Sequence, residues 1–483
     1  MRILALNPPF VPGFCRSARW AAKSRGRVQR HPDWFLIAVA VLERAGHEVR
    51  FVDGAALDLA AEVVDREALA FRPDLAVLHT TTPSIYSDLG HARRLKEKTG
   101  TRLVLIGPHP TALPDDTLRL AGDGVDALAL GEFDETLLEL ADLSRWDDVA
   151  LRSVAGLAFR NGSGEVERTA PRAPVDVNAL PFPAWHHIQP EWYPDAGKRF
   201  PFLTLLSGRG CPGRCTFCRD VPLMEGRKLR LLDPARVVDE MEHDLKLFPR
   251  LREVMIETDT FTAVPAHVEG VCEELLRRNL KVTWSCNSRV DLDLSLLPLM
   301  RRAGCRMLMV GFEFGTQQAL DAVKKGITLE QSRRFARAAS ELGFTLHGCF
   351  MIGAPGETRE SARATIDFAK SLPLDTIQVS GICVYPGTEL YDWAKTKGYL
   401  VPKDWTEWVG PDCEQATLLD YPELSKAEID ALIDRGLREF YLRPGQMLRM
   451  AKSLRSWDDL KRKLYGLKSF LDYFGKPKAE GRP

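Results

Sequence analysis

Short apolar runs alternate with helix-length amphipathic segments over residues 1–142. The runs have the length of buried strands, and the segments between them repeat apolar residues every three or four positions. Such alternation predicts a Rossmann-like, doubly wound α/β domain, in which helices cover both faces of a parallel sheet. The predicted strands are Ile3–Leu6, Glu48–Val52, Leu75–His79, Arg102–Ile106 and Ala127–Leu130.

Residues 143–200 break this alternation. The dipeptide Asn161-Gly162 predicts a hairpin turn, and a later proline-rich stretch is typical of a linker. Strand–helix alternation resumes over 201–400 and predicts a partial (β/α)6 TIM-like barrel, while 401–483 has a helical pattern. The strands predicted for the barrel are Phe202–Leu206, Glu253–Glu257, Lys281–Cys286, Met307–Phe312, Thr345–Ile352 and Thr376–Cys383.

Composition narrows the function classes. The chain has 66 basic and 66 acidic residues, so no overall positive field attracts nucleic acid, and we expect no nucleic-acid partner. No apolar run reaches the roughly 18 residues that span a bilayer, and the N-terminus has no signal-peptide layout. We therefore expect a cytoplasmic protein, in a reducing compartment that also suits an oxygen-labile metal centre.

Three cysteines carry the strongest chemical signal. Cys211, Cys215 and Cys218 form a CxxxCxxC pattern in a glycine-rich loop directly after a predicted strand. Three thiolates can hold three corners of a [4Fe–4S] cluster and leave the fourth iron open for a substrate or cofactor. A structural zinc site would need a second ligand pair, which the sequence lacks. A disulfide framework is unusual in a long chain without a secretory signal.

This pattern resembles the radical S-adenosylmethionine (SAM) superfamily. The resemblance implies that the open iron binds SAM and that an electron from the cluster cleaves SAM to a 5′-deoxyadenosyl radical. It also implies an external electron donor of the flavodoxin or ferredoxin type. Barrel active sites lie at the carboxyl ends of the strands, and the cysteine loop follows the first barrel strand.

Polar residues at other strand ends resemble the SAM-binding positions of this family. Glu257 or Asp259, after the second barrel strand, would face the SAM ammonium, although Asp259 also fits a helix N-cap. Arg289, after the third strand, would pair with the SAM carboxylate or form a structural salt bridge. Glu313, in a GxExG-like segment after the fourth strand, would accept hydrogen bonds from the ribose hydroxyls or serve a structural role.

The adenine side of the predicted site has a similar basis. Gly353 and Pro355 belong to a segment that resembles the family's adenine-binding turn, where glycine lets the backbone approach the base. The same segment also fits a tight strand–helix turn with Glu357 in the first helical turn. Phe217, next to the third cysteine, would pack on the adenine or anchor the loop.

The strand ends of the first domain resemble the cobalamin-binding domain that precedes many radical SAM barrels. The DxHxxG motif that supplies a cobalt ligand in other corrinoid proteins is absent, so the axial ligand is open. A sheet without a cofactor is the alternative, because a doubly wound sheet does not define its ligand. The predicted cobalamin contacts are Asn7, Pro8, Thr80, Thr81, Thr82, Ser84, Gly107, His109 and Glu132.

Two basic segments have open roles. The first would overhang the domain interface and either bind an anionic group or be solvated. The second is an amphipathic C-terminal helix, which favours either packing on its own protein or peripheral membrane contact. The first segment contains Arg16, Arg19, Lys23, Arg25, Arg27 and Arg30, and the apolar face of the second contains Leu454, Trp457, Leu460, Leu464, Leu467 and Leu471.

The resemblance extends from Asn7 to about Pro444 and implies a cobalamin-dependent radical SAM enzyme. Its implied activity is the transfer of a methyl group from methylcobalamin to an unactivated carbon, after the deoxyadenosyl radical has removed a hydrogen atom. A radical rearrangement, ring closure or carbon–carbon coupling is the alternative within enzymes. A cluster- or corrin-based redox sensor is the alternative outside them. The substrate, a small molecule or a lipid, is not identified by the sequence.

Overall fold

The computed structural model of the protein describes residues 1–259, 261–454 and 456–475. The last eight residues of the predicted C-terminal helical region, 476–483, lie outside these ranges. The expected α/β architecture is confirmed, with one parallel sheet in the N-terminal domain and a second in the barrel.

The first domain contains nine strands and seven helices within residues 1–168. The strands are β1 (Arg2–Asn7), β2 (Phe14–Cys15), β3 (Ala22–Lys23), β4 (Glu48–Asp53), β5 (Leu75–His79), β6 (Arg102–Ile106), β7 (Ala127–Ala129), β8 (Leu157–Arg160) and β9 (Val166–Arg168). The helices are α1 (Asp33–Arg44), α2 (Ala61–Phe71), α3 (Ile85–Thr99), α4 (Pro108–Ala112), α5 (Pro114–Ala121), α6 (Asp134–Asp142) and α7 (Asp148–Arg152).

The seven-stranded sheet of this domain has the order β4-β1-β5-β6-β7-β8-β9. Its first five strands are parallel, whereas β8 and β9 form the predicted hairpin and pair antiparallel to β7. The hairpin, expected in the linker, thus extends the first sheet. The strand order reverses between the parallel strands β1 and β5, and ligands of open α/β sheets bind in the crevice at such a switch point.

The barrel domain has eight strands, of which six form the second large sheet and β11 and β12 form a separate pair. Its strands are β10 (Phe202–Leu205), β11 (Gly208–Arg209), β12 (Arg230–Leu231), β13 (Glu253–Ile256), β14 (Trp284–Ser288), β15 (Cys305–Glu313), β16 (Thr345–Ile352) and β17 (Thr376–Gly381). Its helices are α8 (Pro234–Leu247), α9 (Pro265–Arg277), α10 (Leu297–Arg302), α11 (Gln317–Ala322), α12 (Leu329–Glu341), α13 (Arg359–Ser371) and α14 (Glu389–Lys397). The C-terminal helices are α15 (Lys426–Tyr441), α16 (Pro444–Lys452) and α17 (Trp457–Gly475).

Six parallel strands, in the order β10-β13-β14-β15-β16-β17, form the partial barrel. Strands β10 and β17 are the two edges, so the barrel has an open side between them. Segments from outside the barrel cover this side. Arg25 donates a hydrogen bond to the carbonyl of Val379 on β17 at 3.1 Å, and the Tyr441 hydroxyl bonds to the backbone of Ile377.

A continuous apolar core joins the two domains. One face of the first sheet, represented by Ile3 and Val77, packs in the same buried cluster as barrel residues such as Leu203. The linker residues Trp185 and Tyr193 are fully buried in this cluster. The linker is therefore a packed layer between the domains, and their relative orientation is set by core contacts.

Buried ion pairs reinforce the interface. Arg209 of β11 donates two hydrogen bonds to Asp134 at the start of α6, at 2.7 and 3.1 Å, and both side chains are excluded from solvent. Its guanidinium also lies over the Trp34 ring, 4.1 Å from the centroid. Close by, Arg230 of β12 pairs with Glu132 of the first domain. These contacts hold the carboxyl edge of the first sheet against the start of the barrel.

The basic segment at residues 16–30, which we call the arginine strap, is tied down by carboxylates from five parts of the chain. It therefore differs from the solvated loop that was one of the two expectations. The segment crosses the open side of the barrel and joins the first domain to the C-terminal helices. Its ion pairs are Arg16–Asp88, Arg19–Asp259, Arg25–Glu414, Arg27–Asp472 and Arg30–Asp195.

We expect Arg209→Met to lower the free energy of unfolding by about 3–5 kcal/mol, because it leaves the buried Asp134 carboxylate without its partner. Replacing both partners, as Arg209→Met with Asp134→Leu, should recover most of this loss. Urea unfolding of the full chain measures the effect. Arg152→Met is the matched control, since Arg152 pairs with Glu167 at the surface, where solvent screens the charges. An equal loss in the two single variants would contradict the prediction.

His31 provides a pH-dependent test of the core. Its ring is buried against Tyr193 and Phe202, and burial lowers its pKa from 6.5 to about 3. Below about pH 6.5, His31 binds a proton in the unfolded chain but stays neutral in the folded chain. This site therefore makes folding less favourable as the pH falls. His31→Phe should therefore reduce the loss of stability between pH 7 and pH 5 by up to about 2 kcal/mol. Unfolding curves at both pH values measure it, and an unchanged difference would contradict the prediction.

Candidate active site

A single cavity of about 950 Å³ lies where the carboxyl ends of both sheets meet. The first domain contributes His79, Pro108 and Phe133 to its wall, and the barrel contributes strand ends from β13 to β16. The arginine strap and the C-terminal helices line the remaining sides. Both sheets therefore present the edge at which parallel α/β sheets bind ligands to the same enclosed space.

The cysteine loop follows β11, and its Phe217 lines the cavity, whereas the three cysteines themselves do not. Gly210, which precedes Cys211, has φ +94°, and a Cβ there would lie 2.2 Å from the carbonyl oxygen of Lys228. Only glycine fits this close approach. Glu225 accepts a hydrogen bond from the Gly210 N–H at 2.8 Å and fixes the loop from below. Cys211, Cys215 and Cys218 are half-buried free thiols in this loop.

The donor set fits an iron–sulfur cluster. The ligands of a single metal ion lie close together, and in the described part of the chain only Glu43, His186 and His187 place three potential ligand atoms within 4.8 Å of one another. The sulfurs of Cys211, Cys215 and Cys218 are not such a group, so they are spread more widely than the ligands of one ion. The Gly213 N–H points at the Cys211 sulfur at 3.4 Å, a contact that tunes such clusters. Burial raises the pKa of Cys218 to about 12, so metal binding would release its proton.

Glu257 and Asp259 both face the cavity after β13. One carboxylate oxygen of Glu257 is buried without a hydrogen-bond partner, which suits a cationic ligand group. Asp259 is instead paired with Arg19 of the strap. Burial raises the pKa of Asp259, and the neighbouring carboxylates Asp220 and Glu257 add to this shift. Of the two predicted positions, Glu257 therefore has the free acceptor.

Arg289 also lines the cavity, and it already has a partner. Its guanidinium forms the structural salt bridge with Asp291 that was one of the two expectations, at 2.8 Å. It also donates to the Lys325 carbonyl at 3.2 Å. Its Nη1 lies 3.9 Å from a Cβ built on Gly213, so the guanidinium reaches the cysteine loop.

Glu313 stands in an unusual backbone conformation at the end of β15. Its φ is +64°, and the pairing of β15 with β16 shifts register between Gly311 and Glu313. Such a bulge redirects a side chain, and a positive φ in a residue other than glycine marks stored strain. The carboxylate turns into the cavity and accepts a hydrogen bond from Lys325 Nζ at 2.5 Å. Sequence patterns did not identify Lys325, because it belongs to no motif.

The predicted adenine turn has a clear local role. Gly353 has φ +106°, and the N–H groups of Gly353 and Ala354 donate to the Glu357 carboxylate at 2.5 and 3.1 Å. Burial raises the pKa of Glu357 to about 7. This is the tight strand–helix turn of the alternative interpretation, but Glu357 precedes the helix and is not in its first turn, because α13 begins at Arg359 with Thr358 as its N-cap. Gly353 and Pro355 lie behind the cavity wall, whereas Phe217 forms part of it.

The predicted cobalamin contacts lie at the carboxyl edge of the first sheet, mostly one layer behind the cavity. Arg16 of the strap occupies the crevice between β1 and β5. It donates to Asp88, to Ser84 at 3.0 Å, and to the carbonyls of Pro8 and His79 at 2.7 and 3.0 Å. None of the nine predicted residues, all of them described, lines the cavity: Asn7, Pro8, Thr80, Thr81, Thr82, Ser84, Gly107, His109 and Glu132.

Individual residues of this set have different partners. His109 bonds to Thr82 at 3.2 Å and packs on Trp405, and Glu132 joins the two domains through Arg230. Thr80 Oγ1 and Asn7 Nδ2 are buried without hydrogen-bond partners. The surface that faces the cavity is formed by their chain neighbours His79, Pro108 and Phe133.

A polar group inside the barrel was not apparent from sequence motifs. Lys198 is fully buried, with Nζ 3.1 and 3.0 Å from the sulfurs of Met255 and Met309. Arg30 and His347 line the cavity beside it. Arg30 pairs with Asp195 at 3.0 Å, and the His347 ring contacts Thr376 at 2.8 Å. These residues are far apart in the chain, so no spacing pattern connects them.

No helix within the described ranges combines the length and apolar character needed to cross a membrane. Two family models match the chain. The B12 binding domain matches residues 26–141, and the radical SAM superfamily matches residues 205–369.

Curated relatives match over most of the chain. An uncharacterized methyltransferase of Pyrococcus horikoshii is 29% identical, over 93% of this chain and 94% of its own length. The anaerobic magnesium-protoporphyrin IX monomethyl ester cyclase of Rubrivivax gelatinosus is 28% identical, over 81% of this chain and 69% of its own.

A solved structure has the same two-domain fold. It is the radical SAM methyltransferase TsrM from Kitasatospora setae with cobalamin and a [4Fe-4S] cluster bound. The TM-score is 0.69 at 19% identity, over 98% of this chain and 99% of that one. The family matches show that this chain combines an N-terminal B12-binding domain with a radical SAM domain.

Proposed function

We propose that the protein is a cobalamin-dependent radical SAM methyltransferase that acts on an unactivated carbon. One observation carries this proposal: Phe217 of the cysteine loop and the turn residues His79, Pro108 and Phe133 of the first domain line the same cavity. A substrate in this cavity would reach both cofactors without leaving the protein. The Pyrococcus horikoshii relative, named as a methyltransferase, supports the same reaction class.

The residues of the chain would hold and orient the reactants. When bound, the cluster and SAM would supply a 5′-deoxyadenosyl radical, and cobalamin would carry the methyl group. Cys211, Cys215 and Cys218 would ligate the cluster. Glu257 would accept a hydrogen bond from the SAM ammonium, and Glu313, held by Lys325, would bind the ribose hydroxyls. These roles follow from charge and placement, and the protein's part is to orient the cofactors and exclude water.

The other assignments follow from the resemblance to the family's binding segments. Arg289, Gly353, Pro355 and Phe217 would frame SAM, and the cobalamin tail would bind beside Thr80 and Asn7. The electron donor would be a flavodoxin or ferredoxin. All ten cysteines are free thiols, which agrees with the proposed reducing cytoplasm.

A ring-forming radical reaction is the second candidate. The Rubrivivax gelatinosus relative is named as a cyclase, and its similarity covers 81% of this chain. The two candidates differ in their products. Methyl transfer consumes a second SAM and releases S-adenosylhomocysteine, whereas ring closure releases deoxyadenosine without it.

Anaerobic reconstitution with iron, sulfide and hydroxocobalamin, followed by SAM and a strong reductant, tests the proposal. We expect deoxyadenosine, S-adenosylhomocysteine and methylated cobalamin, resolved by mass spectrometry. Cys218→Ala should abolish SAM cleavage and lower the iron content, because one cluster ligand is lost. Cys413→Ala, a half-buried free thiol outside the loop, is the control and should retain both. Deoxyadenosine without cobalamin methylation would instead favour the ring-forming reaction.

Glu313→Gln tests the ribose assignment. Loss of the charged acceptor should weaken SAM binding by roughly 10- to 100-fold, the worth of a hydrogen bond to a charged group. Equilibrium binding of SAM to the reconstituted, unreduced protein measures this directly. Glu389→Gln removes a carboxylate that pairs with Lys324 at the surface, and it should bind SAM like the wild type. Unchanged affinity in Glu313→Gln would leave Glu313 with a structural role only.

A further inference from the structure

Exposed apolar side chains are concentrated on the last two helices. Eight of the eighteen large exposed apolar residues in the described part of the chain lie between 442 and 471. They include Leu464 and Leu467 of α17, which are 54% and 51% exposed. A concentration of this kind on one surface marks a binding site more often than scattered exposed residues do.

This apolar surface is continuous with the cavity. Leu442, Met447, Leu454, Leu464 and Leu467 are exposed and also line the cavity. They form an open apolar groove between α16 and α17, which we call the α16–α17 groove. The groove meets the barrel where Arg462 approaches the carbonyl of Gly197 at 3.4 Å and Gly466 lies against Ala196.

The inner end of the groove contains two basic residues, Lys198 and Arg30, and one carboxylate, Asp195, which pairs with Arg30. Lys198 and Arg30 line the cavity directly beyond Gly197, together with His347. In the described part of the chain, no carboxylate oxygen lies within 4.0 Å of Lys198 Nζ, and its two closest partners are methionine sulfurs. A buried ammonium without an ion pair is costly, and an anionic ligand group would offset that cost.

We propose that the α16–α17 groove binds the hydrocarbon chain of an amphiphilic lipid whose anionic phosphate or carboxylate end lies against Lys198 and Arg30. This inference rests on the proposed function only in taking the bound lipid as the substrate. The apolar walls match an alkyl chain, and Lys198, which has no carboxylate within 4.0 Å in the described part of the chain, matches its head group. The groove and the cysteine loop open into the same cavity, so head-proximal carbons would lie nearest the reaction site.

The eight residues 476–483 do not offer an apolar occupant for the groove. The sequence that follows α17, residues 476–483, contains lysine, proline, alanine, glutamate, glycine and arginine, and no large apolar side chain. A second copy of the protein is the remaining alternative, and the test below distinguishes it.

Dodecyl phosphate, kept below its critical micelle concentration, is the probe. Its binding to the reconstituted full-length protein is measured by anaerobic calorimetry without SAM or reductant, so the result does not depend on turnover. We expect saturable binding, with Leu464→Gln/Leu467→Gln at least about tenfold weaker, because two buried alkyl contacts are lost. The matched control is Leu276→Gln/Leu342→Gln, a pair of exposed leucines outside the cavity, which should bind like the wild type.

Dodecanol separates the head-group contribution from that of the chain. The wild type should bind dodecyl phosphate at least tenfold more tightly than dodecanol, and Lys198→Met should reduce this preference. If Lys198→Met does not fold, the difference between dodecyl phosphate and dodecanol binding to the wild type still tests the head-group contribution. Absence of dodecyl phosphate binding, or equal binding by the Leu464→Gln/Leu467→Gln variant, would overturn the proposal.

Light scattering provides the last measurement. A wild-type mass of two chains that falls to one in Leu464→Gln/Leu467→Gln would show that a second copy covers the groove, and it would overturn lipid binding there. Failure of the proposed function is a different result. Lipid binding without any SAM cleavage would refute the methyltransferase while leaving the groove's ligand class intact.

Discussion

The buried contact between Arg209 and Asp134 is the constraint on which the arrangement depends. Each of the two parallel sheets has one productive edge, the carboxyl ends of its strands, and a shared reaction requires those edges to face each other. Arg209 follows the first barrel strand and directly precedes the cysteine loop, while Asp134 begins the helix after β7. Because the two side chains are buried and bonded at two points, a rotation of one domain against the other would expose an unpaired charge.

Charge also shapes the cavity itself. Glu257, Asp259 and Glu313 are brought together by strand ends, and their mutual repulsion must be balanced by cations. Arg19 and Lys325 supply two of them. The unusual backbone of Glu313 shows that this placement is not simply the relaxed end of a strand. The surrounding pairs hold a conformation that local propensity would not select.

Local patterns were sufficient to predict most elements and the cysteine loop from the sequence. Strands β1, β5 and β6 follow from short apolar runs, since strands buried on both faces are apolar throughout. The partners of the arginine strap could not be predicted, because Arg27 and Asp472 are 445 positions apart. The cobalamin positions differ for another reason. A resemblance identifies the turn in which a contact residue lies, but not which side chain of that turn faces the cavity. Arg16 fills the crevice beside Pro8, and the residues that line the cavity are His79, Pro108 and Phe133.

The arginine strap has a consequence for the order in which the molecule is completed. The arginine strap lies early in the chain, and its ion pairs form only after the carboxylates of the linker, the barrel and α17 have been synthesised and have folded against it. During synthesis, the open side of the barrel therefore stays uncovered until the C-terminal helix has emerged and docked. Once the strap is in place, reopening this side would require ion pairs to the linker, the barrel and α17 to separate together.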